Sequence, residues 1–302
     1  MIEPSVGIVL TTYNGGEFLA DQLDSLLAQS GVSLHIYVFD DKSSDSTMAI
    51  LESYAAANPG RFTVVQNDPN SGGTGLNIFR NLPNLPPHHD FVALADQDDI
   101  WLPEKVESAI AALNKEKAGL YFSNLLMWDG KEVFGVVEKA SPLQKRDYLF
   151  AGGSAGCTYV LSKEYFQHLQ QILRETELGD IRRISHDWII YFLARHHGYN
   201  VCASGDALIK YRIHPESQYG GMSLGGIGAV SRKYKMLRAG FLRDQISNAL
   251  LFAREGTEDR AILLNAAKGR LSRLAVLFKY RFTLVRKKPR LLSLLFAFLS
   301  FR

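Results

Sequence analysis

The sequence predicts an α/β protein built on an open, mostly parallel β-sheet flanked by helices. In the first hundred residues, short apolar strand-like runs alternate with segments whose apolar residues recur at helical spacing. Polar clusters follow three of these runs, at 11–14, 40–41 and 96–99. Because the carboxyl ends of parallel strands meet at one edge of a sheet, the three clusters should converge there and form the ligand site. The composition agrees, since 46% hydrophobic and 22% charged residues are ordinary for a folded chain of 302 residues.

The N-terminal elements follow from punctuation and periodicity. The first run, 6–11, is rich in β-branched residues and ends in the turn signal Tyr13–Gly16. Ser43–Ser46 supplies helix N-caps, and Asn58–Gly60 ends that helix. A glycine-rich loop, Ser71–Gly75, precedes a short helix. The predicted strands are 6–11, 34–39, 62–65 and 91–95. The first predicted helix carries Phe18, Leu19, Leu23, Leu26 and Leu27 at helical spacing, and the second carries Met48, Ile50, Leu51 and Tyr54.

The rest of the chain is more mixed and then helical. A flexible stretch at 220–226 predicts a boundary between a catalytic domain, 1–225, and a helical, basic C-terminal region, 226–302. Before it, the predicted strands are 120–126, 132–137, 158–161 and 207–211, and the helices are 163–175 and 186–196.

The net charge of +3 conceals two oppositely charged parts. Residues 1–230 have a net charge of −10, residues 231–302 have one of +13, and no acidic residue follows Asp259. Such a tail is typical of binding to a polyanionic surface, either nucleic acid or anionic lipid. It alternates basic with apolar residues and contains no nucleic-acid motif, so we expect lipid and no nucleic acid.

Several protein classes are excluded or disfavoured. Two cysteines without a CxxC pair provide neither a disulfide framework nor a thiol-rich metal site. No basic segment precedes the first apolar run, which argues against a signal peptide and makes the cytosol the default compartment. Ser71–Gly75 is not a GxGxxG fingerprint and no P-loop is present, so nicotinamide and P-loop chemistry are disfavoured.

The densest chemical signal is the carboxylate group formed by Asp96, Asp98 and Asp99 after a strand. Three neighbouring carboxylates repel one another, and a divalent cation such as Mg²⁺ or Mn²⁺ would offset that repulsion. The alternative is a solvated acidic turn before a helix. Asp40 and Asp41 end another strand and suit a ribose or a pyrimidine N–H, with helix capping as the alternative.

Three motifs in order carry a resemblance to a known family. Val6–Asn14, Phe39–Thr47 and Ala95–Trp101 resemble the inverting glycosyltransferases of family 2, whose fold is the nucleotide-sugar-binding GT-A type. Ser185–Trp188 resembles the catalytic-base motif of that family. Gly153–Cys157 and Tyr211–His214 are also similar, so the resemblance covers about residues 4–217.

The resemblance implies roles for individual residues. Asp187 would be the general base, Asp98 would hold the metal on the diphosphate, and Asp96 would contact the ribose or a metal-bound water. His214 would face the diphosphate or the metal, with a structural histidine as the alternative. The donor pocket would contain Thr11, Tyr13, Asp40, Asp41, Asp96, Gln97, Trp101 and Lys105.

Two departures from the family pattern matter. The QxxRW motif of processive synthases is absent, which favours transfer of a single sugar. The usual Glu-Asp at the base position is His186-Asp187 here, which leaves the role of His186 open. His196 and His197 end an amphipathic helix and are interpreted as structural.

The resemblance implies an inverting, metal-dependent transferase. The form of Asp96–Trp101 with Lys105 is similar to rhamnosyltransferases, which use dTDP-L-rhamnose; a UDP-hexose such as glucose or galactose stays open. The implied acceptor is a lipid-linked saccharide in O-antigen, capsule or exopolysaccharide synthesis. The alternatives are a non-catalytic membrane-surface protein and a sugar-phosphate nucleotidyltransferase, whose basic phosphate loop residues 5–16 lack. Formation of an oligomer stays open.

The tail predicts peripheral attachment to the inner face of the cell membrane. Residues 268–302 hold ten basic and no acidic residues, with Leu271, Leu274, Leu277 and Phe278 at helical spacing. The apolar segment Leu291–Phe301 would rise only about 16 Å as a helix, so it should lie in the membrane interface. The alternative is that it packs on the body or forms a dimer contact.

Overall fold

The computed structural model describes residues 3–179, 181, 183–214, 240–287 and 289–300. The strands are β1 (Ser5–Thr12), β2 (Ser33–Asp40), β3 (Phe62–Gln66), β4 (Phe91–Ala95), β5 (Ile100–Trp101), β6 (Leu120–Ser123), β7 (Leu125–Trp128), β8 (Val133–Val137), β9 (Val160–Ser162), β10 (Val201–Ser204) and β11 (Ile209–Arg212). The helices are α1 (Leu19–Leu27), α2 (Thr47–Ala57), α3 (Thr74–Asn81), α4 (Lys105–Glu116), α5 (Lys163–Glu175), α6 (His186–His196), α7 (Phe241–Phe252), α8 (Glu258–Lys268), α9 (Arg270–Tyr280) and α10 (Pro289–Ser300).

A seven-stranded sheet has the order β10-β6-β9-β4-β1-β2-β3. Strands β4, β1, β2 and β3 are parallel, whereas β9 runs antiparallel to β4 and β6. A smaller sheet has the order β5-β11-β7-β8. The predicted α/β class with a mostly parallel sheet is confirmed, and β1, β2 and β4 end at the same edge.

Helices cover both faces of the larger sheet because its strands are apolar on both sides. Ile8 and Leu10 are fully buried on one face, in a core that α1, α2 and α4 share. Val9 points to the opposite face, where α3, α5 and α6 complete a second core. Alternate residues of one strand therefore fix the two layers that hold the sheet edge in place.

The run 120–126, predicted as one strand, is two strands in different sheets. The chain changes sheets at Asn124, between β6 and β7. The Asn124 side chain accepts hydrogen bonds from the backbone N–H groups of Lys139 and Ala140 and donates one to the Gly205 carbonyl oxygen. An apolar run cannot reveal such a break, because these partners are distant in sequence.

The described C-terminal helices share the core of the body. Ile246, Leu263, Val276 and Phe298 belong to the same buried cluster as α6. Asp259 accepts a hydrogen bond from Tyr148, and its Oδ2 lies 2.7 Å from Nδ1 of His196. This contact fits the interpretation of His196 as a structural residue. The predicted boundary at 225/226 lies outside the described residues, so the division into two domains stays a prediction.

One side of the apolar segment near the C-terminus is buried against the protein. Leu294, Ala297 and Phe298 of α10 are buried, and the Phe298 ring packs edge-on against Phe150 at 5.2 Å. The expectation that all of this segment lies in a membrane interface is corrected, because one side of α10 covers the body. Among the described helices, none is long and apolar enough to cross a bilayer.

Candidate active site

A cleft of about 1060 Å³ opens at the carboxyl ends of β1, β2 and β4. It brings together seven of the side chains predicted for the donor and metal sites, and the predicted base Asp187 faces it too. The seven are Thr11, Tyr13, Asp41, Asp96, Gln97, Asp98 and His214. Residues separated by about 200 positions therefore meet at the sheet edge, as the topology predicts.

The exposed ring of Tyr13 stands at one wall of the cleft. Gln97 holds its backbone at both polar groups: the Tyr13 N–H donates to Gln97 Oε1 at 2.8 Å, and Gln97 Nε2 donates to the Tyr13 carbonyl oxygen at 3.1 Å. A Cβ at Gly15 would lie 2.3 Å from Gln97 Oε1, so a larger residue there would displace this amide. The amide of Gln97 thus positions Tyr13, whose ring is left accessible.

Asp40 and Asp41 differ in position: the Asp40 carboxylate is internal, whereas the Asp41 carboxylate faces the cleft. Asp40 is fully buried and accepts hydrogen bonds from Thr12 Oγ1, Ser43 N–H, Ser43 Oγ and Gln66 Nε2. It does not line the cleft, so the expectation that it lines the donor pocket is corrected: its acceptor capacity is used in joining β1, β2 and β3.

Asp41 lines the cleft and fixes a loop that the sequence reading left out of the site. It accepts hydrogen bonds from the N–H and Oγ of Ser71, at 2.5 and 2.9 Å. Gly72 and Gly73 follow with φ of +89° and +143°, values that favour glycine. A Cβ at Gly75 would lie 2.0 Å from the Ile184 carbonyl oxygen, so this loop packs closely against the segment before Asp187. The glycine-rich composition was the available signal.

The carboxylates after β4 crowd together. One ligand atom each of Asp96, Asp99 and Cys157 lie within 4.8 Å of one another, and Asp98 Oδ2 lies 2.8 Å from Nε2 of His214. Burial first, and then the charges of Asp98 and Asp187, raise the pKa of Asp96 to about 7. Carboxylate oxygens such as those of Asp96 and Asp98 are ligands that suit Mg²⁺ or Mn²⁺.

Asp187 lies in the first turn of α6, on the other side of the cleft. Its Oδ1 accepts hydrogen bonds from Ser185 Oγ and, at 2.8 Å, from the Trp188 N–H. Trp188 is anchored in turn by its indole N–H, which donates to the Tyr148 carbonyl oxygen at 2.7 Å. No residue that the structure describes donates to Oδ2 of Asp187, which therefore stays available to a ligand.

His186 also lines the cleft and packs closely against the backbone. A Cβ at Gly156 would lie 2.1 Å from its Nε2, so a larger residue there would displace the imidazole. Burial lowers the pKa of His186, with the Asp187 charge opposing the change, which favours the neutral imidazole. His186 therefore places a neutral imidazole, and not a second carboxylate, beside Asp187.

Trp101 and Lys105 lie outside the cleft, which corrects the expectation that they contact the donor. Both are almost completely buried, and the Lys105 ammonium stands 3.5 Å from the centre of the Trp101 ring. Neither Lys105 Nζ nor Trp101 Nε1 has a hydrogen-bond partner among the described residues. Burial lowers the pKa of Lys105 to about 7.

The C-terminal helix α7 supports the segment just before Asp187. The sequence motifs do not predict this support. Gln245 of α7 accepts a hydrogen bond at 2.8 Å from the Ser185 N–H, and Asn248 donates at 2.7 Å to the Arg183 carbonyl oxygen. The Arg183 guanidinium, at the cleft, pairs with Asp244 of the same helix. Two buried amides three residues apart on one helix face were the only local signal.

Known proteins with similar sequences include glycosyltransferases. Residues 7–151 match the family model described as glycosyl transferase family 2. The chain is 29% identical over 237 residues to the dTDP-rhamnosyl transferase RfbG of Shigella flexneri, covering 78% of this chain and 80% of that protein.

Solved structures share the fold. TarS 1-349 of S. aureus in complex with UDP-GlcNAc aligns with a TM-score of 0.59 at 17% identity, covering 98% of this chain and 81% of that one. The mannosyltransferase PcManGT of Pyrobaculum calidifontis in complex with GDP-Man and Mn²⁺ aligns with a TM-score of 0.55 at 15% identity, covering 99% and 86%. The GT-A architecture is thereby confirmed. The family model, the relative and the fold agree that this chain is a glycosyltransferase related to enzymes of polysaccharide synthesis, and its residues 7–151 are similar to glycosyltransferase family 2.

Proposed function

We propose that this enzyme transfers a single sugar from dTDP-L-rhamnose to a hydroxyl group of a lipid-linked saccharide, with inversion and with a bound Mg²⁺ or Mn²⁺. One observation carries the proposal: Asp187 lies in the same cleft as Asp96 and Asp98 and keeps Oδ2 available. A single carboxylate opposite a diphosphate site is what an inverting displacement requires.

The nucleotide binds between Tyr13 and Asp41. The accessible Tyr13 ring suits stacking on a pyrimidine base, and the carboxylate of Asp41 suits a ribose hydroxyl or a base N–H. Thr11, at the end of β1, completes this wall. Gln97 acts by holding the Tyr13 backbone on both sides.

Asp98, Asp96 and His214 would hold the divalent cation. When bound, that cation neutralises charge on the diphosphate leaving group. Burial first, and then the neighbouring Asp98 charge, raise the pKa of Asp96, and the second of these causes fits the assignment because a bound cation would offset it. His214, 2.8 Å from Asp98, orients that carboxylate.

Asp187 is the general base. Its Oδ2 takes the proton of the acceptor hydroxyl while that oxygen bonds to the anomeric carbon. The bond from this carbon to the diphosphate breaks on the opposite side, and its electron pair leaves with the diphosphate. The bonds from Ser185 and Trp188 to Oδ1 leave Oδ2 to the acceptor.

The choice of donor rests on two observations. The motif Asp96–Trp101 is of the rhamnosyltransferase form, and the relative from Shigella flexneri is described as a dTDP-rhamnosyl transferase. The acceptor and an attachment to the inner face of the cell membrane are inferred from the relationship to polysaccharide-synthesis enzymes and from the basic C-terminal region. A lipid-linked acceptor confines the reaction to that surface.

Thermal unfolding with Mn²⁺ tests the donor. A ligand at 100 times its Kd adds about 2.7 kcal/mol, which a melting curve resolves. We expect dTDP-rhamnose to stabilise the protein more than UDP-glucose or UDP-galactose, and only dTDP-rhamnose to be consumed when a lipid-linked acceptor is added. A shift with a UDP-hexose and none with dTDP-rhamnose would overturn the donor, whereas no shift with any nucleotide sugar would overturn the function.

A further inference from the structure

The most exposed large apolar side chains among the described residues all belong to the C-terminal region, between residues 271 and 292. Leu271, Phe278, Phe282 and Leu292 are 85%, 73%, 77% and 71% exposed, and no other large apolar side chain in the described ranges exceeds 56%. Soluble proteins rarely leave such a patch uncovered without a partner. We refer to these four residues as the docking face.

The docking face is one side of a helix pair whose other side is buried. Leu271 and Phe278 are seven residues apart on α9, hence two turns along one side. The opposite side of α9 packs Val276 and Leu277 into the core. Leu292 likewise lies across α10 from the buried Leu294 and Phe298. Three of the four exposed side chains therefore belong to helices already anchored on the body, and Phe282 lies in the turn after α9.

The charge around this face identifies its partner. The guanidinium carbon of Arg281 lies 4.6 Å from the centre of the Phe278 ring and 4.4 Å from the centre of the Phe282 ring. Lys279 directly follows Phe278 in the sequence. Neither cation pairs with a carboxylate of the described residues, and no acidic residue follows Asp259 in the sequence. Aromatic and aliphatic side chains interleaved with cations are typical of surfaces that bind anionic lipid. A second copy of this face would instead bring like charges together.

The segment between α9 and α10 is anchored on the body near the active site. The buried Arg286 guanidinium pairs with Asp147 at 3.3 Å and donates to the carbonyl oxygens of Gly152 and Gly153. The segment that contains Asp147 also holds Trp188, the residue after Asp187, because the Trp188 indole N–H donates to the Tyr148 carbonyl oxygen. Buried contacts thus connect the C-terminal helices to the segment that packs on Trp188, next to Asp187.

We propose that Leu271, Phe278, Phe282 and Leu292 insert into the interface of an anionic bilayer while Lys279 and Arg281 contact its lipid headgroups. This proposal rests on the proposed lipid-linked acceptor, whose hydroxyl group must reach Asp187 from the membrane surface. The 12 residues of α10 rise about 18 Å, well short of a hydrocarbon core of about 30 Å, so the helix lies on the surface.

Vesicle flotation of the full chain tests the proposal. The variant Leu271→Asn/Phe278→Asn removes two apolar side chains from the docking face, and Phe134→Asn/Val136→Asn removes two half-exposed ones from β8 as the matched control. With vesicles of phosphatidylethanolamine and phosphatidylglycerol, we expect the first variant to bind at least about tenfold more weakly and the control to bind as the unmodified chain. Lys279→Gln/Arg281→Gln should lose about fivefold per charge on these vesicles and nothing on phosphatidylcholine.

Each other outcome overturns the proposal. These outcomes are no binding of the unmodified chain to anionic vesicles, equal loss in both apolar variants, or retention that survives carbonate extraction. A lipid-free dimer that Leu271→Asn/Phe278→Asn converts to a monomer would assign the face to a second copy. Titration of the same samples with dTDP and Mn²⁺ separates the two proposals: intact nucleotide binding without vesicle binding refutes the docking face alone, and absent nucleotide binding refutes the proposed function.

Discussion

The two sides of the cleft are built in different ways. On the side of β1, β2 and β4, functional carboxylates directly follow strands and are fixed by short loops, such as Ser71 on Asp41. On the side of Asp187, the segment before α6 is held by Gln245 and Asn248, about sixty residues further along the chain. Local sequence motifs reveal the carboxylates of the first side, whereas the support of the second side depends on contacts that no motif contains.

The largest expected effect is on the Asp187 side. Asp187→Asn keeps Oδ1 to accept from Ser185 and Trp188 and places an amide where Oδ2 stood. We expect transfer to fall by about 10²–10⁴-fold, because no group then accepts the acceptor proton, while dTDP binding with Mn²⁺ stays unchanged.

Initial rates and calorimetric titration check this prediction, with the exposed Asp206→Asn as the control. Lost nucleotide affinity with normal turnover at saturation would instead place Asp187 in the donor site.

The strand-end side should respond differently. Asp98→Asn preserves an oxygen to contact His214 but removes the charge that faces a cation. We expect a loss of about 10²-fold or more in rate, together with weaker Mn²⁺ and dTDP binding, because charge on the diphosphate is then poorly neutralised.

The matched control is Asp129→Asn, which changes an exposed turn carboxylate. Unchanged rates in the variant, or in the unmodified enzyme after exhaustive chelation, would refute the metal assignment.

A smaller effect tests the long-range support directly. Gln245→Leu deprives the Ser185 N–H of its acceptor, which costs about 1–3 kcal/mol and loosens the loop before Asp187. We expect kcat to fall about tenfold with little change in donor KM, whereas Gln171→Leu, on the exposed side of α5, leaves both unchanged. Equal kcat values in the two variants would show that α7 only stabilises the fold.

The sequence was sufficient wherever the chemistry is local. Four parallel strands, their polar ends and the carboxylates Asp41, Asp96, Asp98 and Asp187 could be predicted because each strand signal and its loop are contiguous. Asp40 was misplaced because adjacent residues of a strand end point to opposite sides, and nothing in Asp40-Asp41 tells which one faces inward. The switch of sheets at Asn124 and the support from α7 arise from tertiary contacts, which periodicity does not contain.

Substitution of Lys105 should have the smallest effect on catalysis. It tests directly whether the donor site extends to this residue. Lys105 follows the strand-end motif in sequence, yet its ammonium is buried against Trp101 without a hydrogen-bond partner among the described residues. Lys105→Met should therefore change the transfer rate by less than about threefold, which a residue in contact with the donor would not allow. The same variant should be more stable than the unmodified enzyme, because a buried cation that lacks a partner disfavours folding.

The pH dependence of that stability has a definite sign. Burial lowers the folded-state pKa of Lys105 to about 7, from an ordinary value of 10.5, so between these values the unfolded chain binds the extra proton. The free energy of unfolding of the unmodified enzyme therefore rises with pH across this window, and the penalty is full below pH 7. Denaturant unfolding near neutral pH and at alkaline pH should show Lys105→Met more stable by roughly 1–3 kcal/mol at the lower pH, with the difference shrinking at the higher one. A constant difference would mean that the ammonium keeps its proton when buried, and a large loss of activity would return Lys105 to the donor site.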